Sequence, residues 1–236
     1  MHSDYIRLRE CMKQPISKSI PDIQAVLFDM DGTLIDTETL YIQATRQALA
    51  DLDCHLTAAE TVTMIYGQSW RDVYEQVKAR FPDTCPRYED MLAGIQHYFT
   101  HLSAETDIVI PTSVELLKKL ARNYPVAIVS GSMRQDIGEA IQLMQIGSLV
   151  RFYLGAEDYH PGKPHPACYR AAADRFGLAP EHFIVFEDST VGVTAAKEAG
   201  MYCVGLQRNG FPSQDMQRAD MVLSDLSEFD VALLSR

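Results

Sequence analysis

The sequence predicts a doubly wound α/β fold, with a mostly parallel sheet and a small inserted α-helical unit. Three observations carry that expectation. Short apolar runs recur along the chain, amphipathic stretches separate them, and residues 40–104 hold helical patterns with no strand among them. At 236 residues the chain suits one elaborated domain better than two equal ones.

Residues 1–20 read as a loose leader, because "MHSDYIRLRECMKQPISKSI" has no apolar centre of the kind a secretory signal needs. Ile23–Phe28 ("IQAVLF") then forms the first buried strand. The insert follows, with "YIQATRQALADL", "WRDVYEQVKARF" and "YEDMLAGIQHYFTHL" as amphipathic helices separated by Gly67, Pro82 and Pro86. Pro111 opens the next helix, since its fixed φ and missing N–H suit a first helical position, and Val114, Leu116, Leu117 and Leu120 supply the buried stripe. "VAIVS", "FYLGA", "FIVFE", "YCVGL" and "MVLSDL" continue the strands. The helices between them include "QDIGEAIQLM", "PACYRAAADRFG" and "TVGVTAAKEAG", with Gly177 and Gly200 as stops for the last two. The expected division is residues 21–39 with 105–236 as core and 40–104 as helical insert.

Composition narrows the partners. A formal net charge of -11 opposes a general nucleic-acid or membrane-surface binder, whose contact face is normally basic. No run is long enough to span a membrane. The five cysteines are odd in number and form no CxxC, which suggests reduced thiols in a cytoplasmic protein. Nothing in the chain sets an oligomeric state.

In open parallel sheets, ligands bind beyond the carboxyl ends of the strands. The polar residues expected there are Asp29 and Asp31, then Ser130, Gly131 and Ser132, then Lys163 in "HPGKPHP", and Glu187 with Asp188. Taken singly, each has an ordinary role as a turn, cap or surface residue. Together they supply a nucleophile, hydroxyl and amide donors, a fixed cation and a pair of metal ligands. Asp29 and Asp31 raise a further question, because two carboxylates so close repel one another unless a cation or dedicated donors neutralise them.

"DMDGT", "VSGS", "GKPHP" and "FEDSTVGVTAAKEAGM", in that order, resemble the four-motif series of the haloacid dehalogenase superfamily. The likeness is to its phosphatase and phosphomutase branch, in which a helical cap follows the first motif, and it runs from about Ile23 to the C-terminus. The resemblance implies that Asp29 is the nucleophile, forming an aspartyl-phosphate, and that Asp31 is the general acid and base. It implies Mg²⁺ held by Asp29, the carbonyl of Asp31 and Asp188, with Glu187 orienting bound water or sharing coordination. Ser130 and the Gly131 amide would hold phosphoryl oxygens, and Lys163 would bridge Asp29 and the phosphate. Gly32 would let the backbone turn closely past the phosphate.

The implied substrate is a small phosphorylated metabolite such as a sugar phosphate. "YGQSWRD" resembles the specificity loop of such caps, and Arg71 and Arg134 are candidate cations for a second anionic group, against the alternative that both are solvated. Glu38 and Thr37 lie near the mouth of the site. His160 with His165 and His97 with His101 match no familiar zinc spacing and read as loop and helix-surface residues. A β-phosphoglucomutase-like mutase is the alternative activity, and a non-catalytic binding module on this fold the other. Mutases of this branch carry a histidine on the helix after the first motif and an arginine in the cap loop, where this chain, by spacing, has Tyr41 and Trp70, with Arg71 one residue away, and that difference favours hydrolysis.

Overall fold

Six strands pair into one sheet, and helices cover both of its faces. The computed structural model describes residues 20–66 and 70–234. Nearly all of the expected leader, and Gly67 of the expected specificity loop, lie outside the described residues.

Strands β1 (Ala25–Phe28), β2 (Val126–Val129), β3 (Val150–Leu154), β4 (Phe183–Glu187), β5 (Tyr202–Leu206) and β6 (Met221–Leu223) lie in the order β3-β2-β1-β4-β5-β6. Every neighbouring pair is parallel, so the sheet is wholly rather than mostly parallel. β1 starts two residues later than the apolar run beginning at Ile23. Strands β1, β2, β4 and β5 are buried at every position, which is why they read as continuous apolar runs without alternation. Their side chains nonetheless sort by face. Val26, Phe28, Ile128 and Phe186 join one core layer, while Leu27, Val129, Val185 and Cys203 join the other. Phe28 and Phe186 are paired in register and their rings stack at 4.7 Å.

Between β1 and β2 run helices α1 (Thr37–Ala50), α2 (Ala58–Ile65), α3 (Trp70–Arg80) and α4 (Tyr88–Glu105). Asp36 caps α1 by accepting from the Thr39 N–H, and Thr57 and Glu60 form a reciprocal capping box on α2. These helices have their own apolar centre, with Leu49, Val73, Val77 and Met91 fully buried in it. The two connections to the sheet lie side by side. The Asp36 N–H donates to the Ile108 carbonyl at 2.7 Å, and the Ile110 N–H to the Leu34 carbonyl at 2.9 Å.

Helices α5 (Pro111–Leu120), α6 (Arg134–Leu143), α7 (Ala167–Phe176) and α8 (Thr190–Ala199) complete the layers. Pro111 does begin α5, and Gly177 and Gly200 end α7 and α8 with left-handed φ of 69° and 89°. After β1 the chain winds to β2 and β3 on one side and then crosses to β4 on the other, so the direction of winding reverses at β1 and a crevice opens beyond its end. Among the described residues no helix is long and apolar enough to cross a membrane. Cys54, Cys85, Cys168 and Cys203 are free thiols.

Candidate active site

Asp29 leaves the end of β1 buried, with its carboxylate accepting a hydrogen bond from Lys163 Nζ at 2.6 Å. Lys163 arrives from the loop before α7 and also donates to Glu187 Oε1 at 2.5 Å and to the Val129 carbonyl at 3.3 Å. One ammonium thus ties together the ends of three adjacent strands.

Glu187 has no solvent exposure. Its Oε1 also accepts from the Tyr169 hydroxyl at 2.9 Å, and its Oε2 accepts from the Ser189 N–H at 3.2 Å and hydroxyl at 3.0 Å. Gly192, in the first turn of α8, makes room for it. A Cβ there would lie 1.7 Å from Glu187 Oε1 and 2.1 Å from Oε2. Gly32 does the same for Asp188, since its φ is +82° and a Cβ would lie 2.1 Å from Asp188 Oδ2. Asp188 Oδ1 accepts from the buried Thr33 hydroxyl at 3.1 Å.

Asp31 faces other partners. Thr37 donates to its Oδ1 at 2.9 Å, while Ser130 and Ser132 donate to its Oδ2 at 2.9 and 2.6 Å. The neighbouring aspartates therefore keep apart by using separate donors, an ammonium for one and three hydroxyls for the other. Ser130 spends its hydroxyl on Asp31 and also accepts from the Ser132 N–H. Gly131 lines the cavity, but a Cβ there would meet nothing within 4 Å, so space alone does not demand glycine.

Burial, with the nearby Glu187 and Asp31 charges, pushes the Asp29 carboxyl well above its ordinary range despite Lys163. Burial does the same to Asp188, reinforced by Asp29 and Glu187. Burial works against the Lys163 ammonium, but Asp29 and Glu187 outweigh it and hold its pKa above the usual lysine value. Asp29, Glu187 and Asp188 bring carboxylate oxygens within 4.8 Å of one another, and Lys163 pairs with the first two. An all-oxygen, negatively overloaded cluster of this kind suits a hard divalent ion. The Asp31 carboxylate stands outside the cluster.

A cavity of about 730 Å³ opens from this cluster, lined by Asp29, Asp31 and Lys163 on the sheet side and by Tyr41, Gln96 and Phe99 from α1 and α4. That volume is within the roughly 300–1,000 Å³ usual for small-ligand sites. Neither candidate substrate cation lines it. Arg71 lies over the Tyr88 ring at 4.8 Å, and Arg134 pairs with Asp158 at 2.7 Å. His160, His165, His97 and His101 are likewise absent from its lining.

Several contributors escaped the sequence reading. Tyr169, Ser189 and Gly192 all serve Glu187, and Gly192 looks like an unremarkable helix residue in "TVGVTAAKEAG". Arg208, two residues past β5, pairs with Asp36 at 3.1 Å and lies 4.2 Å from the Phe211 ring centroid. Its place beyond a strand's carboxyl end was the available signal. Glu38 lines the cavity and hydrogen-bonds Tyr66, while its Oε2 is sealed from solvent without a partner among the described residues.

Strand-end carboxylates, a buried lysine and an adjoining cavity make a candidate active site on an α/β sheet, and comparison with known proteins identifies the family. Residues 26–206 match the haloacid dehalogenase-like hydrolase family, to which the chain belongs. It is 28% identical to a validoxylamine A 7'-phosphate phosphatase of Streptomyces hygroscopicus subsp. limoneus, covering 87% of this chain and 95% of that one. It is 26% identical to a phosphoglycolate phosphatase of Shigella boydii serotype 4, covering 90% and 93%. A crystal structure of a hydrolase of this family from Deinococcus radiodurans R1, with bound phosphate and sodium, superposes with a TM-score of 0.73 at 27% identity, covering 88% and 93%.

Proposed function

We propose that this chain is a Mg²⁺-dependent phosphatase that hydrolyses a small phosphoric monoester through an aspartyl-phosphate on Asp29. The observation that carries the reading is the pairing of Asp29 with Lys163 at the floor of the cavity, with Asp31 held separately by three hydroxyls. Similarity to two proteins named as phosphatases supports it.

Asp29 attacks phosphorus in line with the departing alkoxide, while Lys163 neutralises the phosphoryl oxygens and keeps the attacking carboxylate aimed. Asp31 gives its proton to the alkoxide and takes one from the water that cleaves the intermediate. The hydroxyls of Thr37, Ser130 and Ser132 fix it for both steps. The Gly131 and Ser132 end of the motif faces the phosphoryl oxygens. Asp29, Asp188 and the Asp31 main-chain oxygen would hold Mg²⁺, which would supply charge neutralisation on the phosphate. Glu187 serves as the anchor of Lys163, because both its oxygens already accept hydrogen bonds. The α1–α4 insert acts as a cap over the cavity.

Tyr41 favours hydrolysis over mutase chemistry. It packs against Phe99 at 4.1 Å and edge-on to Trp70 at 5.4 Å. Burial, together with Asp31 and Asp136, raises its pKa, so it cannot accept protons as an imidazole would. The intact set of Asp29, Asp31, Lys163 and Asp188 stands against a non-catalytic module. Phosphate release should appear with Mg²⁺, vanish in excess chelator and return on readdition. Release undiminished by chelator would sink the metal's role. Glucose 6-phosphate forming from β-glucose 1-phosphate, primed with the bisphosphate, faster than free phosphate would replace the phosphatase with the mutase.

A further inference from the structure

Lys163 has no hydrogen to spare. An ammonium carries three, and here they go to Asp29 at 2.6 Å, to Glu187 Oε1 at 2.5 Å and to the Val129 carbonyl at 3.3 Å. To reach a phosphoryl oxygen it must give one up. The Val129 contact is the longest and goes to an uncharged acceptor, so it is the weakest of the three. If that bond is exchanged while both carboxylates stay bound, the ammonium turns about them, and its final aim depends on how firmly they are held.

Asp29 is a poor fixed point, because on the proposed mechanism its carboxylate bonds to phosphorus. Glu187 is a good one. It is wholly buried, and the Oε1 that holds Lys163 also accepts from the Tyr169 hydroxyl at 2.9 Å. Ser189 holds Oε2 with its N–H and hydroxyl, and Gly192 lets α8 pack directly against the carboxylate. Tyr169 touches the lysine a second way. Its ring centroid lies 5.3 Å from Nζ, inside the roughly 6 Å of a cation–π contact.

Tyr169 itself is not part of the cavity wall. It is fully buried in the first turn of α7, and its ring belongs to the core layer that holds Val185 and Cys203. Phenylalanine would fill that packing role as well. The hydroxyl adds something packing does not need, a hydrogen bond to the one oxygen that anchors Lys163.

We propose, on the reading that Asp29 takes the phosphoryl group, that Tyr169 is a positioning residue for the reaction. Its hydroxyl fixes the Glu187 oxygen about which Lys163 turns from the Val129 carbonyl to a phosphoryl oxygen. The lysine is thereby aimed in the transition state, while the rest of the ester is bound by the cavity walls.

The test is Tyr169→Phe in the full chain, assayed with p-nitrophenyl phosphate at saturating Mg²⁺. A charge-assisted bond lost from the lysine's anchor should lower kcat by roughly tenfold and leave KM within about twofold. Inhibition by orthovanadate, whose five-coordinate form resembles the transition state, should weaken by about the same factor, and inhibition by inorganic phosphate by less than about twofold. Phenylalanine keeps the ring in the core, so the variant should fold, which circular dichroism and urea denaturation check. A folded variant with wild-type kcat, or one that loses stability or gains in KM while vanadate inhibition stays unchanged, would overturn the inference and leave the phosphatase intact. No phosphate release by the wild type, as by Asp29→Asn, would overturn the phosphatase reading and this inference with it.

Discussion

On the sheet side of the cavity, Glu187 alone takes four hydrogen bonds, from Lys163, Tyr169 and both donors of Ser189, and two glycines leave just enough room for their neighbouring carboxylates. On the insert side, Tyr41, Gln96 and Phe99 face the same space, and Tyr41 and Phe99 are held by ring contacts with few polar constraints. The first wall is over-determined. The second is held by apolar packing, which tolerates substitutions of similar volume. On the proposed mechanism, one scaffold can therefore keep its reacting groups fixed while the wall that would meet the leaving group varies.

Breaking the sheet side should cost most at the proposed nucleophile. Asp29→Asn is nearly isosteric, so the protein should fold, yet phosphate release should fall by at least about a thousandfold because an amide is a poor nucleophile. Near-normal turnover by the folded variant would remove Asp29 from the mechanism.

Gly192→Ala tests the same wall through packing. A methyl group would overlap the Glu187 carboxylate, which cannot move without releasing Lys163 or Tyr169. A loss of about 2–4 kcal/mol in urea denaturation is expected, with a fall in kcat. Unchanged stability would show that α8 or Glu187 shifts freely.

Glu38 sits where the two regions meet, between Tyr66 at the end of α2 and the Arg208 loop of the core. Burial raises its pKa to about 7, with Arg208 and the Tyr66 hydrogen bond opposing. The folded chain then binds a proton that the unfolded chain has lost, so stability should decline as pH rises from the ordinary glutamate range through about 7. Between pH 5 and 8 the wild type should lose roughly 1–3 kcal/mol more than Glu38→Gln, after allowance for partial exposure. Parallel pH profiles for the two proteins would contradict this.

Arg71→Ala marks the tolerant end. Arg71 is exposed and touches the Tyr88 ring, so the change should cost under about 0.5 kcal/mol and move KM less than about twofold. A large rise in KM would return Arg71 to the substrate.

Local chemistry made much of this molecule legible in advance. Buried strands such as "VAIVS" and "FIVFE" announce themselves because both faces are covered, and Pro111, Gly177 and Gly200 mark helix ends through backbone geometry that few other residues share. That Asp29, Asp31, Lys163 and Asp188 would meet at one edge was legible because a parallel sheet gathers its strand ends there, so order along the chain becomes proximity in space. Tertiary structure alone decided the pairings. Nothing in the spacing says that three hydroxyls converge on Asp31, that Gly192 exists to seat Glu187 from the next element, or that Arg134 turns to Asp158 and leaves the cavity acidic. Those outcomes depend on where long side chains point after packing, and a side chain's direction is set by neighbours far away in sequence.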